Sequence, residues 1–127
     1  MKTGEERDPL TGAVIAAAIE VHRLMGPGLL ESVYQSCMEQ ELILRGIECQ
    51  PQCALPLSYK GTPLIDKFVI DLFFPGRLVI ELKAVVKIIP VHEAQLLTYM
   101  KLTKSPVGLL LNFHEPVLKN GIKRMVQ

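Results

Sequence analysis

A hairpin between two β-type runs constrains the fold of this chain more than any other feature of its sequence. Residues 64–74 and 78–84 are rich in apolar and β-branched side chains, and Pro75-Gly76-Arg77 separates them. This pattern predicts two antiparallel strands joined by a tight turn. If the turn contains three residues, Phe74 pairs with Leu78, and that pair fixes the register of every pair behind it.

Five charged side chains lie in these two runs, and three of them, Asp71, Glu81 and Lys83, have mostly apolar neighbours. In the register set by the turn, Asp71 lies opposite Glu81, and Lys83 shares the face of Glu81 because side chains alternate along a strand. Two opposed carboxylates about 5 Å apart repel each other unless a cation lies between them. One interpretation is a divalent-metal site, since carboxylate oxygens are ligands that Mg²⁺ prefers. The other is a partly buried salt-bridge network with no function.

The segments around the hairpin predict the fold class. Helices are predicted over residues 10–24, 29–45 and 91–103, the first of them capped by Asp8 and started by Pro9. Strands are predicted over 47–59 and 107–113, with a closing hairpin over 117–126 that turns at Asn120-Gly121. This order predicts an α/β fold with one mixed central β-sheet flanked by helices. A chain of 127 residues is expected to form one domain, residues 1–127.

Charge is distributed unevenly along the chain. Residues 1–59 carry four basic and eight acidic side chains, whereas residues 60–127 carry ten basic and five acidic ones, for a net charge of +1. A basic half can face a polyanion, although scattered, solvated lysines explain the same counts.

Targeting and redox signals are few. Residues 1–8 have no apolar signal core, and the apolar stretch 10–19 is too short to cross a bilayer, so we expect no membrane association and a cytoplasmic location. The three cysteines, Cys37, Cys49 and Cys53, lack zinc-finger spacing and are expected to be reduced, half-buried thiols.

Four short motifs occur in a fixed order along the chain. Gly28-Leu29-Leu30-Glu31-Ser32-Val33-Tyr34 is followed by Asp71, then by Glu81-Leu82-Lys83, and then by a helix that carries Gln95 and Tyr99. In this order and spacing they resemble the PD-(D/E)xK nuclease superfamily and, more narrowly, the family named for its GxxExxY motif. The resemblance covers about residues 10–125 and implies a restriction-endonuclease-like core. The chain departs from the superfamily motif at Ile70, which precedes Asp71 where the motif has proline.

The resemblance implies a metal site and its ligands. Asp71 and Glu81 would bind Mg²⁺ or Mn²⁺, and Glu31 would be an additional catalytic carboxylate that reaches the metal or its water. Judged from the residues alone, the favoured interpretation of Glu31 is a first-turn glutamate that complements the helix dipole.

The resemblance also implies catalytic roles outside the metal ligands. Lys83 would be the catalytic lysine, and Gln95 and Tyr99, four residues apart on one helix face, would support the site or contact a phosphate. Ordinary helix-surface polarity would explain the last two as well. His92 could support the site or simply start its helix, and Tyr34 could be core packing with a satisfied hydroxyl group.

The resemblance implies metal-dependent hydrolysis of phosphodiester bonds in DNA or RNA as the activity. A catalytically silent nucleic-acid-binding or assembly module of the same fold is the alternative, and a hydrolase of another phosphate ester is a third. The sequence contains no helix-turn-helix, zinc finger or aromatic RNA-binding motif. We therefore expect targeting by nucleic-acid structure or by a partner, and by analogy a homodimer would present two sites to two strands.

Overall fold

A computed structural model describes residues 8–127, in which five strands form one sheet with helices on both faces. The expectation about a signal core therefore falls almost entirely on residues outside the described part. The helices are α1 (Pro9–Met25), α2 (Glu31–Leu44) and α3 (Pro90–Thr103). The strands are β1 (Gln50–Tyr59), β2 (Thr62–Phe74), β3 (Leu78–Lys83), β4 (Val107–Asn112) and β5 (Ile122–Val126).

The sheet is mixed, with strand order β1-β2-β3-β4-β5. Strands β3 and β4 are parallel, and every other neighbouring pair is antiparallel. A parallel pair needs a long crossover connection, which α3 supplies. Phe74 pairs with Leu78 across the turn, as its three-residue length predicts. The predicted α/β class with a restriction-endonuclease-like core is thus confirmed.

Two apolar layers hold the helices to the sheet. Helices α1 and α2 pack on one face, where Val14, Ala17, Ala18, Tyr34 and Met38 are fully buried. Helix α3 packs on the other face through Leu96, Tyr99 and Met100. Because the sheet is covered on both sides, the interior strand β4 is buried along its whole length, as its continuous apolar run predicts.

Helix α2 begins at Glu31, two residues later than its pattern predicts. Leu30 keeps an extended backbone, and the Tyr34 hydroxyl group holds the turn before it. That hydroxyl accepts a hydrogen bond from Leu29 N at 3.1 Å and donates one to Gly26 O at 2.5 Å. Because the helix starts after this turn, Glu31 is its first residue.

The predicted hairpin over residues 117–126 is wrong. Asn120-Gly121 lies in a short 3₁₀ turn, Leu118–Gly121, and β5 pairs with β4 instead of with the segment before it. Leu118 is buried in the core on the α1 side, which draws this segment away from the sheet. Gly121 lies directly against the Asn112 carbonyl group, so the turn has no room for a side chain there.

No helix among residues 8–127 has the length and apolar character needed to cross a membrane. Cys37, Cys49 and Cys53 are free and half-buried, as predicted.

Candidate active site

Asp71 lies where strands β2 and β3 stop pairing. The ladder between them ends at Leu72 and Ile80, one residue short of Asp71. In place of a further main-chain pair, Asp71 Oδ2 accepts a hydrogen bond from Leu82 N at 2.8 Å. The carboxylate is therefore tied to the strand that carries Glu81.

Two glutamine side chains also hold Asp71. Gln52 Nε2 on β1 donates to Asp71 Oδ1 at 3.1 Å, and Gln35 Nε2 on α2 donates to the Asp71 main-chain carbonyl at 2.9 Å. Sequence reasoning missed both glutamines. Gln35 directly follows Tyr34 of the first motif, but nothing in the pattern shows that its amide reaches β2.

Glu81 is the buried carboxyl group of the site. Only 4% of its surface is exposed, and its Oε1 has no hydrogen-bond partner among the described residues. Burial raises the pKa of Glu81 to about 10; Asp71 adds to this through hydrogen bonding and charge, whereas Lys83 opposes it. An unpaired buried oxygen beside a second carboxyl group is the arrangement that a cation would relieve.

Lys83, Gln95 and Tyr99 form a chain of hydrogen bonds between β3 and α3. Lys83 Nζ donates to Gln95 Oε1 at 3.3 Å, and Gln95 Nε2 donates to Tyr99 Oη at 3.0 Å. Burial raises the pKa of Tyr99, and the charges of Glu81 and Asp71 raise it further, while the Gln95 bond lowers it. The Tyr99 ring is thus close enough to sense both carboxylates.

Glu31 faces the same charges from the start of α2. Partial burial raises the pKa of Glu31, the Asp71 charge raises it further, and Lys83 lowers it. The residue as a whole is exposed, so its carboxylate loses only part of its solvation.

His92 and Tyr34 take no part in this network. His92 Nδ1 accepts a hydrogen bond from Ile89 N at 3.1 Å, which caps the start of α3. Tyr34 is fully buried and stacks on Phe113, with ring centroids 4.6 Å apart. Both positions match the simpler interpretations of these residues.

Asp71 and Glu81 are a donor set suited to a hard divalent cation. Within residues 8–127, no three His, Cys, Asp or Glu side chains converge closely enough to form a metal-binding group on their own. A cation held here would therefore keep several of its waters, which is how Mg²⁺ usually binds to proteins. The unpaired Glu81 Oε1 supports this fit.

A cleft of about 520 Å³ lies away from these carboxylates. It is lined by residues of α2, of the loop that follows it and of the start of β1, including Leu42, Ile47 and Cys49. The carboxylates instead lie at the carboxyl end of the parallel strands, where Lys83 pairs with Asn112.

Comparison with known proteins gives one match. A family model for the PD-(D/E)XK nuclease superfamily matches residues 8–125. No curated protein and no solved structure matches the chain. The matched range contains the three helices, every residue of the site and the whole sheet except the last residue of β5. Nucleases of this superfamily generally use divalent metal ions. The chain belongs to the PD-(D/E)XK nuclease superfamily.

Proposed function

We propose that this protein is a Mg²⁺- or Mn²⁺-dependent nuclease that hydrolyses phosphodiester bonds in DNA or RNA. The observation that carries the proposal is the buried Glu81, which has an unpaired oxygen and lies beside Asp71. Most buried polar atoms are hydrogen-bonded, so an ion pair alone gives no reason for this unpaired oxygen. The nuclease superfamily supplies the substrate class.

The two carboxylates would hold the metal, and Glu31 would reach the metal or one of its waters. The bound ion would supply an acidified water and would offset negative charge on the phosphate. Lys83 would stabilise that charge or orient the attacking water through its ammonium group. The hydrogen bond to Gln95 holds the Lys83 ammonium group towards α3. Gln95 is held in turn by its hydrogen bond to the Tyr99 hydroxyl group.

We also assign the chain to the GxxExxY branch of the superfamily. The geometry of the motif supports the assignment, because each fixed position has a physical role. Gly28 has φ +92°, which favours glycine. Glu31 starts α2 beside the site, and Tyr34 holds the turn between them.

Cleavage assays test the nuclease activity. Pure protein would be incubated with plasmid, single-stranded DNA and RNA, in Mg²⁺, Mn²⁺ or chelator. We expect metal-dependent cleavage that falls by about 100-fold or more in Lys83→Ala. Lys104→Asn is the matched control: it removes a lysine at the opposite end of the sheet, at a left-handed position that asparagine tolerates. Equal cleavage by wild type and Lys83→Ala would contradict the assigned role.

Metal binding can be tested without knowing the substrate. A ligand that binds only the folded state at 100 times its Kd stabilises it by about 2.7 kcal/mol. Mn²⁺ should therefore raise the Tm of the wild type and leave that of Asp71→Ala unchanged. Metal and nucleic-acid binding without cleavage would instead identify a silent binding module.

A homodimer would place two such sites on two strands, and sedimentation of the protein with a short duplex measures that stoichiometry.

A further inference from the structure

We propose that Gln52 is a positioning residue for Asp71, held in a left-handed backbone conformation so that its amide group orients that carboxylate. The inference deepens the proposed function, because Asp71 is a proposed metal ligand. The orientation of Asp71 by Gln52 is a property of the metal-free protein, so it can be tested even if the proposed function is wrong.

The backbone of Gln52 is unusual for its place in the fold. Three non-glycine residues among those described have positive φ: Gln52 at +48°, Lys60 at +48° and Lys104 at +56°. Lys60 lies in the turn between β1 and β2, and Lys104 ends α3, which are ordinary places for this conformation. Gln52 alone lies inside a strand. A left-handed non-glycine residue is disfavoured and persists only where its surroundings hold it.

The β1–β2 ladder lacks a pair at this position. Pro51 pairs with Leu72 and Cys53 pairs with Ile70, but Gln52 and Asp71 between them are not paired. Instead, the Gln52 side chain reaches across to Asp71 Oδ1.

Strand β2 is irregular at the same place. Ile70 and Phe73 are three residues apart, yet both pack in the apolar layer against α3. Regular alternation would send them to opposite faces. The distortion on both strands is therefore centred on Asp71.

The result is that both oxygens of Asp71 are held. Leu82 N donates to Oδ2 and Gln52 Nε2 donates to Oδ1, so rotation of the carboxylate would break one bond or both. Partners that hold a metal ligand in this way typically change metal affinity by 10- to 100-fold when removed. If Gln52 served only to kink an edge strand, glycine would replace it without loss.

Gln52→Gly separates these roles. Glycine accepts the same φ without strain but has no amide group. In metal-free protein we expect a Tm no lower than that of the wild type, together with faster hydrogen exchange at the Leu82 amide as Asp71 loosens. In calorimetric titrations with Mn²⁺ we expect Kd to weaken by about tenfold or more.

Lys60→Gly is the control. It also places glycine at a position with φ +48° in the same hairpin, but it changes no contact with Asp71. It should leave both the Leu82 exchange rate and the Mn²⁺ affinity unchanged. Gln52→Asn tolerates the left-handed backbone but is one methylene shorter, so it should behave like the glycine variant. Wild-type Leu82 exchange in both Gln52 variants would overturn the inference. If the wild type binds no Mn²⁺, the proposed function fails, and the Leu82 exchange rate still decides the role of Gln52.

Discussion

The Glu81 carboxyl group is stable in its buried position only when it is neutral or matched by a cation. Its pKa of about 10 means that the metal-free protein holds a proton there at neutral pH. A metal ion bound by Glu81 would displace that proton, because the ligating form is the carboxylate. A proton and a metal ion would thus compete for the same carboxyl group.

This competition predicts how the stability of the metal-free protein depends on pH. Between pH 5 and 9 the unfolded chain has an ionised Glu81, with an ordinary pKa of 4.5, whereas the folded protein keeps the proton. The folded state then binds more protons, so the free energy of unfolding should fall as pH rises, by at most about 1.4 kcal/mol per pH unit. Urea unfolding in chelator measures this slope. Glu81→Gln should flatten it, and equal slopes in the two proteins would contradict the assignment.

The sequence predicts some contacts of the site and misses others. Asp71 and Glu81 could be placed together because a three-residue turn fixes the register of the hairpin. The roles of Gln52 and Gln35 could not be predicted. Their amide bonds depend on a broken ladder position and on the approach of α2, both of which arise from tertiary packing.

At the scale of elements, α3 reaches the sheet at a position without a side chain. A Cβ on Gly108 of β4 would lie 2.6 Å from Met100 Sδ and 3.0 Å from Leu96. Close packing at this point sets the height of α3 above the sheet and so the position of Gln95 and Tyr99.

Gly108→Ala should therefore push α3 outward. Overpacking of this kind costs about 1–3 kcal/mol, measurable by urea unfolding. Gly12→Ala is the matched control, since nothing lies within 4 Å of a Cβ at this position in α1. It should stabilise the protein by about 0.5–1 kcal/mol, because alanine is the better helix former. Destabilisation of similar size in both variants would argue against the packing explanation.

The connection between α1 and α2 depends on one hydroxyl group. Tyr34→Phe keeps the stack on Phe113 but leaves Leu29 N and Gly26 O without their partner. We expect a loss of about 1–2 kcal/mol in the free energy of unfolding. Tyr59→Phe, at an exposed tyrosine, should change it by less than about 0.5 kcal/mol. An unchanged free energy of unfolding in Tyr34→Phe would show that the turn does not need this hydroxyl group.

Most elements followed from periodicity, and the errors have local causes. The three helices and the first four strands were predicted because their apolar patterns are long. The closing hairpin was wrong because Asn120-Gly121 is a turn signal that does not specify which strand follows it. Burial of Leu118 decided that outcome, and burial depends on the rest of the fold.

For the whole molecule, the distribution of charge matters more than its sum. The basic half, residues 60–127, contains β2, β3 and α3, which carry most of the candidate site, while the net charge of the chain is only +1. We therefore predict that a polyanion binds through cations of this half of the chain.

Nucleic-acid binding should consequently depend on salt. In chelator, where no cleavage occurs, the Kd for a labelled duplex should weaken by about tenfold or more between about 50 and 200 mM salt. Fluorescence anisotropy measures this directly. A Kd that does not change over this range would show that phosphate contacts contribute little.

The turn that fixes the register of the hairpin also separates two ends of the molecule. Pro75-Gly76-Arg77 precedes β3, and Lys83 ends that strand, about 16 Å away for six residues. Gly76 is exposed in this turn. A tether, an affinity tag or a targeting module inserted at this turn would leave the candidate active site open, so the protein could be delivered to a chosen nucleic acid through its opposite pole.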